Sequence, residues 1–247
     1  CVMSSCFKKP AFWVLAALVL VGFGCWIYQQ MAGLGITGMN NSNSWGLYIT
    51  CFMFFVGLSA GGLIVASSAH VFGIESFKRI SMPAVIVSTA CICVAGMFVL
   101  ADLGGIQRIW RIIVGLNVTS PLAWDMTVIT CYLVINILDL VWMHKGDEEM
   151  VRKLSYVALP VAILVHSVTA WIFGLEIAKE GWHSAIMAPI FVASAMDSGL
   201  ALLLCVLSGM KKSGKVAMDD NLFGNLARLL AVFIAVDAFF IGCELLT

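Results

Sequence analysis

Charged residues are scarce in this sequence. Lys, Arg, Asp and Glu together make up 11% of its 247 residues, whereas soluble domains typically carry about 25%. With so little charge the chain cannot cover a hydrated surface. The formal net charge is zero, so no overall field favours nucleic acid. We therefore expect neither an ordinary soluble domain nor a nucleic-acid partner.

The nine cysteines contain no CxxC pair. Cys1 and Cys6 lie outside the apolar runs, and whether they pair is open. The other seven lie within apolar runs, where small polarizable core residues are the simplest interpretation. We find no disulfide framework and no iron–sulfur ligand set. We therefore expect no iron–sulfur cluster in this chain.

The sequence instead contains long runs of apolar residues. Several exceed the roughly 18 residues typical of a spanning helix, and the absence of alternation favours helices over a barrel. We predict an all-α polytopic transmembrane bundle, with residues 1–247 as a single integral membrane domain. The predicted spans are approximately 11–28, 45–71, 82–101, 123–141, 154–175, 185–207 and 226–246.

The first span follows Lys8 and Lys9, as the apolar part of a secretory signal would. It has no small-x-small cleavage site, and Phe23 spoils Gly22–Cys25 as a lipoprotein-type site. We expect this segment to be retained as a helix.

The basic residues predict the orientation. Eleven of the 14 fall on one side of the spans, and Arg108, Arg111 and Lys179 fall on the other. The positive-inside rule then predicts a cytoplasmic N-terminus in a bacterial or archaeal cytoplasmic (inner) membrane. The outward segments, 29–44, 102–122 and 177–184, concentrate polar side chains as a lid over the helix mouths. Within these segments or at their edges lie Gln29, Gln30, Asn40, Asn41, Asn43, Asp102, Gln107, Arg108, Arg111, Asp125, Glu176 and His183.

Carboxyl groups at membrane depth carry the functional signal, because each costs about 2.5–3.5 kcal/mol on insertion scales. Asp139 shares one helix face with Tyr132 and Asn136, at spacing i, i+4, i+7. Asp197 and Asp237 lie in two further spans. We interpret these three aspartates as a candidate proton path. Buried hydrogen bonds between helices are the structural alternative.

His166 is the one histidine well inside a predicted span, since His70 and His144 lie near span ends. Imidazole exchanges protons near neutral pH, which makes His166 the natural relay. A haem between helices needs two facing axial histidines. We therefore expect no haem. Separately, small residues in Gly57–Gly62 leave one helix face nearly bare, which predicts close helix packing.

Four segments occur in the order expected of a known family. They are Trp45–Tyr48 running into Phe54–Gly62, Ala101–Gly104 followed by Arg108 and Trp110, Ser120–Asp125, and His166–Phe191. From Trp45 to Phe191 they extend over about three-fifths of the chain. This ordered set resembles the NrfD/polysulfide reductase membrane subunit (PsrC-like) family.

The resemblance implies a quinone-interacting anchor of a molybdopterin/iron–sulfur oxidoreductase complex. Its partners would be a four-cluster, ferredoxin-like iron–sulfur subunit on the outer side and a molybdopterin catalytic subunit, and it would bind menaquinone or ubiquinone. Family members usually have more spans, built as two bundles. Seven spans imply a short form or missing C-terminal helices, with the second bundle incomplete.

On this resemblance we expect the quinone near the outer mouth. Asp102, His166 and Glu176 would lie near the reacting oxygens as hydrogen-bond or proton partners. Tyr48 and Trp124 would shape the slot, with Arg111 or His183 at its mouth.

Two other functions stay open. A secondary transporter would need repeat-related broken helices, whereas Pro160 is predicted at a helix start and Pro189 near an end. A purely structural anchor accounts for the spans but leaves the buried charges without a role. Whether the chain itself is catalytic or only the quinone-reacting part of an enzyme is also open.

Overall fold

The computed structural model describes residues 9–40, 45–115, 117–175, 181–214 and 219–246. These residues form helices and turns, without a strand. Within these ranges, seven helices are long and apolar enough to cross a membrane. They are α1 (Pro10–Ala32), α2 (Leu47–Val71), α3 (Glu75–Asp102), α4 (Pro121–Lys145), α5 (Glu148–Gly174), α6 (Met187–Lys212) and α7 (Asp220–Glu244). The predicted all-α bundle of seven spans is confirmed.

Several helices extend beyond the predicted spans. The structure starts α3 at Glu75, α5 at Glu148 and α7 at Asp220, well before the predicted starts at 82, 154 and 226. A helix keeps its backbone hydrogen bonds past its apolar run, and charged side chains are tolerated near its ends. The prediction that Pro160 lies at a helix start is wrong, because α5 begins at Glu148 and Pro160 lies inside it.

The connection between α4 and α5 is very short. Gly146 ends α4 in the left-handed conformation, with φ of 75°, which glycine adopts without strain. Asp147 then caps α5, because its Oδ1 accepts a hydrogen bond from the Met150 backbone N–H at 3.0 Å. This two-residue turn makes α4 and α5 antiparallel neighbours.

The chain divides into two compact units. The first contains Cys1–Thr50 and Met97–Gly115, and so includes α1, the start of α2 and the end of α3. The second contains Cys51–Gly96 and Leu116–Thr247, and so includes the rest of α2 and α3 together with α4 to α7.

The core of the second unit surrounds α2, whose small residues admit its neighbours. A Cβ added to Gly62 would lie 3.2 Å from the Ala84 carbonyl oxygen of α3. A Cβ on Gly199 of α6 would lie only 2.6 Å from the Cα of Gly61. The expected close packing of the Gly57–Gly62 face is therefore confirmed in this unit.

The first unit is built differently, because α1 has almost no buried surface. No residue in the most apolar 18-residue stretch of α1 is buried, and Gln29, near its C-terminal end, is the one buried residue of the helix. Beyond α1, the Leu34 side chain fills the space beside Gly104, whose φ is +61°. A polar group and a small loop contact therefore hold the C-terminal end of α1.

Candidate functional site

Three backbone segments of the first unit meet through Gln29. Its amide Nε2 donates to the Ala101 carbonyl oxygen at 2.8 Å, at the end of α3. Its Oε1 accepts from the Tyr48 hydroxyl at 2.5 Å, at the start of α2. The Tyr48 ring also lies 6.5 Å from the Phe98 ring. One buried amide thus fixes the position of Tyr48, a predicted site residue.

Two polar atoms, on residues next in sequence to those joined by this amide, are buried without a hydrogen-bond partner among the described residues. They are Oδ1 of Asp102, which follows Ala101, and Nε2 of Gln30, which follows Gln29. The other amide atom of Gln30, Oε1, accepts from the Ile106 backbone N–H at 3.4 Å. Asp102 Oδ1 is an acceptor when the carboxyl group is ionised, whereas Gln30 Nε2 is a donor. The cluster Gln29, Gln30, Tyr48 and Asp102 therefore offers both types of partner to a bound molecule.

Arg111 lies in the same unit, on the one-turn helix Trp110–Val114. Its side chain is exposed, and its guanidinium carbon lies 5.6 Å from the centre of the Trp110 ring. Arg111 therefore occupies a surface position, and its role at the mouth of a quinone site stays a prediction.

In the second unit, His166 is 4% exposed, and its Nδ1 has no hydrogen-bond partner among the described residues. Its ring packs 5.5 Å from the Phe191 ring. A Cβ added to Gly57 would lie 3.4 Å from the imidazole Cε1. The bare face of α2 therefore makes room for this buried histidine.

Asp125 is buried at the start of α4, and it is hydrogen-bonded to α5, the helix that carries His166. Thr169, one turn beyond His166 on α5, donates to Asp125 Oδ1 at 2.6 Å. Trp124, the preceding residue, is 55% exposed, and its indole N–H donates to the Val118 carbonyl oxygen at 2.8 Å. At the start of α4 the Asp125 carboxyl group is therefore buried, whereas Trp124, which was predicted to shape the quinone slot, is exposed.

The last two predicted quinone residues lie after α5. His183 is exposed, and its Nδ1 lies 3.0 Å from the Gly174 carbonyl oxygen. Glu176 falls outside the described residues. Next to His183, Ser184 donates to Glu244 of α7 at 2.6 Å.

The predicted stripe of α4 forms a buried hydrogen-bond network in the second unit. Ser88 of α3 lies 2.8 Å from the Tyr132 hydroxyl and donates to Asn136 Oδ1 at 2.9 Å. Ser59 of α2 lies 3.0 Å from the Tyr132 hydroxyl and donates to the Ser88 carbonyl oxygen at 2.7 Å. These side chains are fully buried.

Asp139 continues this stripe, and it is also fully buried. Neither of its carboxyl oxygens has a hydrogen-bond partner among the described residues. Burying a charged carboxylate without a hydrogen-bond partner costs a large amount of free energy. Asp139 therefore needs a proton, a cation or water to be stable at this depth.

Asp197 of α6 and Asp237 of α7 belong to another part of the second unit. They lie close enough for their charges to interact, and Oδ1 of Asp237 is buried without a partner in the described part of the chain. Their neighbours Met196 and Val236 line an apolar groove of about 430 Å³ between α5, α6 and α7. The structure therefore places these two aspartates together on α6 and α7, and places Asp139 on α4.

No group of three or more His, Cys, Asp and Glu side chains that could hold a metal ion occurs in the described ranges. The polar clusters consist instead of hydroxyl, amide and isolated carboxyl groups. These are suited to hydrogen bonding and proton exchange.

Comparison with known proteins now identifies the family. Residues 35–247 match the family described as "Polysulphide reductase, NrfD". This chain belongs to the NrfD family. Together with the seven apolar helices, membership makes it a multi-pass membrane protein.

Curated relatives of this NrfD-family chain come from bacteria and archaea. A putative dimethyl sulfoxide reductase membrane subunit of Halobacterium salinarum is 36% identical over 90% of this chain and 56% of its own length. An Hdr-like menaquinol oxidoreductase integral membrane subunit of Archaeoglobus fulgidus is 32% identical over 94% and 58%. A selenate reductase subunit of Mesobacillus selenatarsenatis is 27% identical over 97% and 65%. The chain thus spans about six-tenths of these relatives' lengths.

Sequence reasoning missed several polar residues of this NrfD-family chain. Ser59 and Ser88 were hidden among small residues, and Gln29 and Gln30 were interpreted only as part of a polar lid. Asp125 had a usable signal, because it lies seven residues before Tyr132 and so extends the α4 stripe. The structure adds these five side chains to the candidate site residues.

Proposed function

We propose that this chain is the quinone-reactive membrane anchor of an oxidoreductase complex. Two relatives are named as membrane subunits of a menaquinol oxidoreductase and a menaquinone reductase, and two as subunits of dimethyl sulfoxide and selenate reductases. These names support a shared role between a quinone pool and a catalytic partner, with menaquinone as the preferred candidate.

The observation that carries the proposal is the pair of orphan atoms in the first unit. A quinone presents two carbonyl oxygens, which need donors, and the corresponding quinol presents two hydroxyls, which need acceptors. Gln30 Nε2 and Asp102 Oδ1 provide one group of each kind, both buried and without a partner in the described residues.

Each residue of this cluster has a distinct role in the proposal. Asp102 accepts a hydrogen bond from a quinol hydroxyl and takes its proton. Gln30 donates to a quinone oxygen, and Tyr48, held by Gln29, provides an aromatic wall. Arg111, which is exposed at the surface, would lie at the mouth of the site. A bound quinone would supply the two-electron, two-proton chemistry that these side chains lack.

Four further residues remain predicted quinone-site residues: Trp124, His166, Glu176 and His183. The role of each must be tested by its own substitution. Asp139, Asp197 and Asp237 remain predicted proton-path residues. We further propose an extracytoplasmic four-cluster iron–sulfur subunit and a molybdopterin subunit as partners. The chain would lie in the cytoplasmic membrane with its N-terminus on the cytoplasmic side, as the basic residues predict.

The test is a titration of the complex, purified from its native membrane, with a fluorescent menaquinol analogue. We expect saturable quenching near one site per chain. Asp102→Asn keeps the shape of the side chain but removes the ionisable oxygen, and we expect it to weaken binding about tenfold, since removing one charge-assisted hydrogen bond costs roughly 1.5–3 kcal/mol. His166→Ala tests the second unit in the same assay.

Gln107→Ala is the matched control, because Gln107 is polar, exposed and in the same unit. Its affinity should equal that of the wild type. Absence of saturable binding in a preparation that contains an iron–sulfur partner would reduce the chain to a structural anchor. Binding that Asp102→Asn leaves unchanged would move the quinone away from this cluster.

A further inference from the structure

A cavity with charged walls lies in the second unit, where α2 and α4 end and α3 and α5 begin. Its volume is about 310 Å³, and it is lined by His70, Lys78, Glu148, Glu149 and Arg152. An adjoining cavity of about 210 Å³ shares His70, Lys78 and Glu148, and its apolar lining includes Met82, Met143 and Val151. The two cavities together combine charged and apolar groups, as a site for an amphipathic molecule does.

The first turns of α5 contain two acid–base couples at the same spacing. Glu149 and Lys153 form an ion pair, with Oε1 and Nζ 2.7 Å apart. Glu148 and Arg152 also stand four residues apart, which favours pairing on a helix. Both border the larger cavity, yet neither forms an ion pair with any described residue. One cation and one anion thus border the same cavity with their charges unmatched.

Two further groups of this cavity suit an anion. Nε2 of His70 is buried without a hydrogen-bond partner among the described residues, and it donates when it carries a proton. Nζ of Lys78 pairs with Glu75 at 2.6 Å, but the Glu75 side chain is 80% exposed, so solvent weakens this pair. Guanidinium, imidazole and ammonium groups all donate N–H hydrogen bonds to phosphate oxygens. Arg152, His70 and Lys78 therefore fit a phosphate group.

Hydropathy places the cavity at the level of lipid head groups. Lys78 and Arg152 come four and two residues before the predicted apolar runs that start at 82 and 154. These separations correspond to roughly 6 and 3 Å along a helix, and the head-group layer on each side of a bilayer is about 5–7 Å thick. The basic residues predict this side of the membrane to be cytoplasmic.

An apolar face of α3 leads from the cavity towards the centre of the membrane. Met82, four residues after Lys78, lines the adjoining cavity and is 41% exposed. Ile86, one turn further along, is 50% exposed, and Ala90 and Cys93 continue the exposed face. Residues at these spacings are neighbours on one side of a helix. A lipid with its head group in the cavity can therefore lay an acyl chain along α3.

We propose that this cavity binds the phosphoethanolamine head group of a membrane phospholipid. The phosphate lies against Arg152, His70 Nε2 and Lys78, and the ammonium group donates to the Glu148 carboxylate. Only two carbons separate the phosphate and amine parts of this head group, and side chains four residues apart on a helix have Cβ atoms about 5–6 Å apart. One head group can therefore reach both unmatched charges of α5.

The proposal distinguishes this head group from the two most similar ones. Phosphocholine carries the same two charges, but its quaternary ammonium has no N–H to donate to Glu148. Phosphoglycerol carries the anion without the cation, so Glu148 would stay unmatched. Charge-assisted hydrogen bonds are the strong ones, and the site should therefore select lipids by their amine.

The test counts lipids that stay bound to the protein after purification from its native membrane and extensive detergent washing. The washed protein is titrated in mixed micelles with dioleoyl phosphatidylethanolamine, phosphatidylcholine or phosphatidylglycerol, and native mass spectrometry measures the adducts. We expect one phosphatidylethanolamine per chain to bind about tenfold more tightly than either of the other lipids, because only this lipid satisfies both charges.

Two substitutions separate the two halves of the head group. Glu148→Gln removes the anion, so the preference over phosphatidylcholine should fall to about twofold or less. Arg152→Gln removes the main phosphate contact, so phosphatidylethanolamine should bind about tenfold more weakly. Both residues are exposed, so both variants should fold, and denaturation in detergent micelles verifies that they do.

Lys153→Gln is the matched control. It removes the same charge one residue further along α5, but Lys153 belongs to the exposed pair with Glu149 and does not line either cavity. Its lipid preference should equal that of the wild type.

Three results would overturn the proposal. The first is equal binding of phosphatidylethanolamine and phosphatidylcholine by the wild type. The second is a loss in Lys153→Gln as large as in Arg152→Gln, because general charge attraction would then account for the binding. The third is displacement of the bound lipid by an equal concentration of free phosphoethanolamine, because the ligand would then be a soluble compound and not a membrane lipid.

Discussion

The two units are made from equally apolar helices but are held together in different ways. In the second unit, 67% of the α2 span is buried, and four neighbouring helices contact it. In the first unit, no residue in the most apolar 18-residue stretch of α1 is buried, although its mean hydropathy of 2.1 nearly equals the 2.2 of α2. Mean hydropathy therefore does not distinguish a central helix from one whose apolar stretch is unburied.

This difference follows from the lipid environment of membrane helices. Lipid tails are as apolar as leucine, so burying an apolar face gives little drive for helix association in a membrane. Close backbone approach and hydrogen bonds provide that drive instead. The second unit has both, through Gly61 and Gly199 and through the Tyr132 network. The first unit relies mainly on the hydrogen bonds of Gln29.

The largest expected effect is at the closest helix contact in the second unit. Gly199→Ala should lower the free energy of unfolding by about 1–3 kcal/mol, because the new methyl group would overlap the α2 backbone at Gly61. Denaturation in mixed detergent micelles measures this change. Gly209→Ala, on the same helix with no atom within 4 Å of the new Cβ, should not destabilise. Equal stability of both variants would show that α2 and α6 are not closely packed.

A smaller effect is expected from the buried network. Tyr132→Phe removes a hydroxyl that lies within 3.0 Å of both Ser59 and Ser88. We expect a loss of about 1–2 kcal/mol in the same denaturation assay, since interhelical hydrogen bonds and their orphaned partners have values of this order. Tyr156→Phe is the control, because Tyr156 is 57% exposed. An unchanged Tyr132→Phe would mean that the network adds nothing to packing.

The smallest effect is expected in the first unit, and it should be local. Gln29→Met keeps the length of the side chain but removes its hydrogen bonds to Ala101 and Tyr48. We expect a loss of about 1 kcal/mol or less, seen as faster hydrogen exchange at the C-terminal end of α1. Exchange in α4 and α5 should not change. If it accelerates as well, the two units do not unfold independently.

Much of the fold was predictable from the sequence. The seven helices follow from apolar runs longer than a bilayer core, and the α4 stripe of Tyr132, Asn136 and Asp139 follows from helical spacing. The burial of all three residues confirms that interpretation. The helix starts at Glu75, Glu148 and Asp220 were missed, because hydropathy ends at the head-group region while the helix continues.

The candidate site was predictable only in part. Charge at membrane depth marked Asp139, Asp197 and Asp237 alike, yet the structure separates Asp139 on α4 from the other two. Gln29 gave no signal of its own, because a polar residue near a span end normally faces water. Its role depends on Ala101 and Tyr48, which lie 72 and 19 residues away in the chain.

The sequence by itself determined that this protein is a set of membrane helices and which helix faces carry polar groups. Those properties are local, since they depend on chain length, hydropathy and the 3.6-residue period. The tertiary structure decided which polar atoms have partners and which are left free. Pairing joins residues from different helices, and a free atom such as Asp139 Oδ1 is recognised only when every neighbour is in place.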